Sequence, residues 1–272
     1  MKDIKNRMDA IFSFSSQVSY EEGHLLPIIQ GSKSLIGLSI DDPPKNLLKW
    51  LESYLENFTP NYLYSSTKSV KDVPEIISTF HLFELIESNK REESKEFLQN
   101  LLQVSNPRYL MELIFEISFQ FSIYKILFCW FALKSVHIMD PKESIGILFI
   151  SLDCIFSKNK EEYDSDIYQL YFLCHSYHMK STAMIRSKKI IPVIEDKIQS
   201  FRESIVVNKL IPVAILHSVL EDGLKGLSQY LFNLTIDDIS CEEILMLDAI
   251  RSLLKNAPES DKIFNLKESN IC

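Results

Sequence analysis

Apolar residues recur three and four positions apart along almost the whole chain, and only six glycines and ten prolines interrupt them in 272 residues. Tight β-hairpins need turn residues that this chain lacks, so the pattern predicts an all-α protein. A folded chain of this length buries roughly three quarters of its unfolded surface. That is enough for a single compact multi-helix domain, expected over residues 1–256 and followed by a polar C-terminal tail at 257–272. No repeat of 20 to 50 residues is visible, which argues against a solenoid.

The most apolar stretch is Leu113 to Leu133, LIFEISFQFSIYKILFCWFAL. Glu116, Gln120 and Lys125 interrupt it, and each would be costly near a bilayer centre. The stretch is therefore expected to be one helix at the centre of a soluble core, not a membrane span. Elsewhere Asp41 to Pro44 form a break, and helices are predicted from Lys45 to Asn57, Pro74 to Ser88 and Arg91 to Val104. Phe58 to Val73 reads as a polar loop. "MDPKES" restarts a helix that runs to about Phe156, with Asp140 as its N-cap. Further helices should cover Ile167 to Lys180, Ile190 to Glu203, Ile211 to Leu234 with a bend near Gly223 and Gly226, and Cys241 to Lys255, where Ser240 begins a capping box. An early helix is expected to start near His24, with Pro27 in its first turn.

A net charge of −8 and a pI near 5.4 oppose nucleic acid or an anionic membrane as the main partner, since both need a positive footprint. Cys129, Cys154, Cys174, Cys241 and Cys272 are odd in number and show no CxxC spacing, which suggests reduced thiols in a cytoplasmic protein. The opening segment MKDIKNRMDAIFSFSSQVSY breaks its apolar run with Ser and Asp, so no signal peptide is expected.

Candidate chemistry centres on histidine. Four acid–histidine pairs have helical spacing: Glu21 with His24, His81 with Glu84, His137 with Asp140, and His217 with Glu221. About three such pairs arise by chance from this composition on the helical-neighbour rule, so they do not argue for a di-iron bundle, and no metal site is expected. His175 and His178, in "YFLCHSYHMKSTAMIRSKK", share a helix face and could bind a metal or exchange protons. A core or helix-end role is the competing explanation. Lys180, Arg186, Lys188 and Lys189 could hold a phosphate or form a solvated helix end. The aromatics from Phe115 to Phe131, including Trp130, could line a pocket for a planar ligand or simply form core. No dinucleotide fingerprint, P-loop, nucleophile elbow or HExxH pattern occurs.

Three stretches in order, "GHLLPIIQGSKSLIGL" with "LLKWLESYL", then "FEISFQFSIYKILFCWFAL", then "YFLCHSYHMKSTAMI", resemble the questin oxidase-like family over about half the chain. The family comprises helical proteins that include NADPH-dependent enzymes for Baeyer–Villiger-type ring opening of aromatic polyketides. The resemblance implies an oxidoreductase with NADPH as cofactor. It matches His24 and His175 to two family histidines, and it puts Gln120 where the family carries a third, which removes an ionisable group at that position.

These readings together predict a hydrophobic or aromatic small molecule held in an internal pocket. His24 or His175 would transfer a proton, and Gln120, His178, Glu116 and Trp130 would contact the ligand. The alternative is a non-enzymatic helical interaction or scaffold protein, with a homo-oligomer among its possible assemblies.

Overall fold

The computed structural model describes residues 2–20, 25–39, 41–60, 79–157, 166–186, 190–202, 215, 219 and 222–256. Among these, twelve α-helices and one 3-10 turn account for the regular structure, and no strand occurs. The helices are α1 (Lys2–Ser15), α2 (Leu25–Ile36), α3 (Lys45–Leu55), α4 (Thr79–Glu87), α5 (Arg91–Val104) and α6 (Pro107–Ser118). They continue as α7 (Ile123–Val136), α8 (Ser144–Phe156), α9 (Asp166–Arg186), α10 (Ile190–Arg202), α11 (Leu224–Asn233) and α12 (Cys241–Asn256). The all-α expectation holds. His24, His217, most of the expected 58–73 loop and the 257–272 tail lie outside the described residues.

The chain divides into two compact units, residues 1–30 with 57–163 and residues 31–56 with 164–272. In the first unit α6, α7 and α8 pack on one another, α5 packs on α6 and α8, and α4 packs on α5. Twelve residues of α7 are buried, because IYKILFCWFALKSV has no polar face to turn outward. Its Lys125 reaches the end of α8, where the ammonium donates to the Ile155 carbonyl and, at 3.0 Å, to that of Ser157. The lysine thereby satisfies carbonyls that a helix C-terminus leaves open. Buried serines are satisfied locally in the same way: Ser118, Ser135 and Ser151 donate to carbonyls three or four residues back.

The stretch Leu113 to Leu133 is not the single helix expected from its hydropathy. The α6 helix ends at Ser118, and three successive short-range bonds follow, from the amides of Phe119, Gln120 and Phe121 to the carbonyls of Glu116, Ile117 and Ser118. Ser122 then adopts an extended conformation and precedes the first turn of α7. Tightening of this kind is a usual helix ending and needs neither glycine nor proline.

Two close helix contacts define the first unit further. At Gly146 of α8 a Cβ would collide with the carbonyl oxygen of Ser16, so only glycine fits there. Asp153, 5% exposed on α8, accepts from Arg91 at 2.8 Å and meets Lys95 at 2.6 Å, which ties α5 to α8.

In the second unit the 21-residue α9 packs against α10 and α12, α11 packs on α12, and α3 lies against the 3-10 turn Ile236–Asp238. Gly223, at φ +56°, precedes α11 in a conformation that favours glycine, and this is where the sequence implied a bend. Ser240 caps α12 by accepting from the Glu243 amide at 3.1 Å. The reciprocal half of the expected capping box is replaced, since the Glu243 carboxylate accepts from the Tyr230 hydroxyl at 3.0 Å. At Gly31 on α2, a Cβ would lie 3.1 Å from Ile244 Cγ2 and 3.5 Å from Asp248 Cβ, so α2 approaches α12 closely there.

Candidate functional site

The apolar face of α12, ILMLDAIRSLL, carries two charged residues three positions apart, Asp248 and Arg251. That spacing stacks them on one side of a helix. Both are buried, at 0% and 8% exposure, and Arg251 Nε donates to Asp248 Oδ1 at 2.8 Å. On the facing helix α9, His175 is 1% exposed, and its Nε2 lies 3.6 Å from Asp248 Oδ2. The carboxylate thus has Arg251 on one oxygen and His175 near the other.

Lys33 on α2 lies within electrostatic reach of Asp248 and Arg251. It is half-buried, and its pKa is lowered, first by burial and then by the neighbouring Arg251; Asp248 acts in the opposite direction and Lys255 in the same one. Cys174, next to His175, has its thiol pushed up to about 12 by burial, so this interior is dry enough to penalise charge. The imidazole and the carboxylate are close enough to interact electrostatically, but at 3.6 Å they stand just outside hydrogen-bond distance.

The sequence-derived candidates divide between the two units. His175 and His178 are three residues apart on α9, where His178 is half-buried and its carbonyl accepts from Ser181 and Thr182. Glu116, Gln120 and Trp130 belong to the first unit. Trp130 is 1% exposed, with its ring 5.6 Å from that of Phe115, and Glu116 is half-buried on α6. Gln120 is exposed in the turn after α6, because the helix in which it was expected ends two residues earlier.

Among the described residues no group of three His, Cys, Asp or Glu side chains is placed to hold a metal ion. Of the acid–histidine pairs, His81 and Glu84 meet at 3.1 Å on the surface, and His137 lies 3.9 Å from Glu112 of α6. Burial and then Arg108 lower the His137 pKa. Among the described residues no helix is long and apolar enough to cross a membrane. Lys180, the member of the basic cluster whose side chain is described, is engaged by Glu195 at 2.7 Å and offers no ready phosphate cradle.

Comparison with protein-family models, curated proteins and solved structures finds no match.

Asp248, Arg251 and Lys33 were not singled out from the sequence. The available signal was an Asp-x-x-Arg pair inside a run otherwise fit for core.

Proposed function

We propose that the protein is an enzyme-like helical protein that binds a hydrophobic or aromatic small molecule, with His175 as the group that exchanges a proton with it. The observation that carries this reading is the approach of His175 Nε2 to Asp248 Oδ2, 3.6 Å apart, with Arg251 holding the other carboxylate oxygen. A carboxylate this near an imidazole needs only a small side-chain shift to hydrogen-bond it, the arrangement in which histidine serves as a general acid or base. The resemblance to the questin oxidase-like family supplies oxidation of an aromatic compound as the candidate reaction. Its NADPH finds no phosphate cradle in the described part of the Lys180 cluster, where Glu195 engages the ammonium. The five cysteines and the net charge of −8 favour a reducing, cytoplasmic setting and a partner other than nucleic acid.

A helical scaffold or self-associating protein is the second reading. It is favoured by the burial of all three side chains, since ion clusters this deep also occur as purely structural elements. Mass spectrometry of small molecules carried through purification separates the two. The enzyme-like reading expects an apolar or aromatic compound in the wild type and its altered occupancy or chemistry in His175→Gln, with the helical circular dichroism retained. Preparations that are empty in both proteins would leave the scaffold.

A further inference from the structure

We draw no further inference here: the strongest candidate, the surface of the first unit where Val104 at the end of α5, Tyr109 in the first turn of α6 and Ile138 just after α7 are exposed, is an apolar face, and nothing in the structure shows what covers it.

Discussion

Lys33 shows how one residue can set a pH dependence. Its pKa is lowered in the folded state, chiefly by burial, so the folded protein gives up this proton before the unfolded chain does. Between the lowered value and 10.5 the unfolded chain holds more protons, and stability rises with pH through that window. Below the window the charged ammonium is a constant penalty. Lys33→Met should therefore raise the melting temperature of the ligand-free protein at neutral pH, by about one degree. The gain should shrink as the pH approaches 10.5, where wild-type Lys33 is already largely neutral. A melting series across pH checks both the sign and the window. At this scale the sequence revealed His175 through its spacing from His178, but not the cations around Asp248. Periodicity marks which face of a helix is apolar; it does not say which of two charged residues on that face will meet a partner from a helix far along the chain.

Helices in the first unit are joined by contacts that hydropathy alone does not disclose. Asp153 sits in an apolar run of α8 and is met by two cations of α5, yet those cations are unequal: the Arg91 side chain is 43% exposed and that of Lys95 15%. Asp153→Ala would leave Lys95 largely enclosed without its anion, at a cost of about 3 kcal/mol. Arg91→Ala leaves Lys95 on the carboxylate and should cost less than about 1 kcal/mol, as for an exposed pair. Urea unfolding of the two variants measures the contrast, and equal losses would show that the exposed arm carries as much as the enclosed one. The boundaries of Arg91–Val104 and the start of the helix at Lys45 were legible from proline, charge and apolar spacing, whereas that helix ends at Leu55, two residues before the expected Asn57. The break after Ser118 was not legible, because Gln120, Phe121 and Ser122 are compatible with helix and the chain turns there through short-range hydrogen bonds.

At the scale of the whole molecule, each compact unit is built from two separate stretches of sequence. Composition and periodicity read the helical class correctly, but they carry no information on which distant helices share a core. The buried thiols report on the units individually: Cys129 and Cys154 lie in the first and Cys174 in the second. Burial raises the pKa of all three, and a thiol reacts as its thiolate, so each should be inert in the native protein. Labelling with a thiol reagent in increasing urea, followed by peptide mass spectrometry, should modify Cys129 and Cys154 together and Cys174 on its own curve. Coincident curves for all three would mean that the units unfold as one. The contact of Gly31 with Ile244 and Asp248 also has a meaning during synthesis. The surface of α2 that it closes emerges from the ribosome well before its partner α12, so an apolar helix face must wait uncovered while the intervening helices are made. Nascent chains halted before α12 are therefore the forms of this protein most exposed to chaperone capture and aggregation.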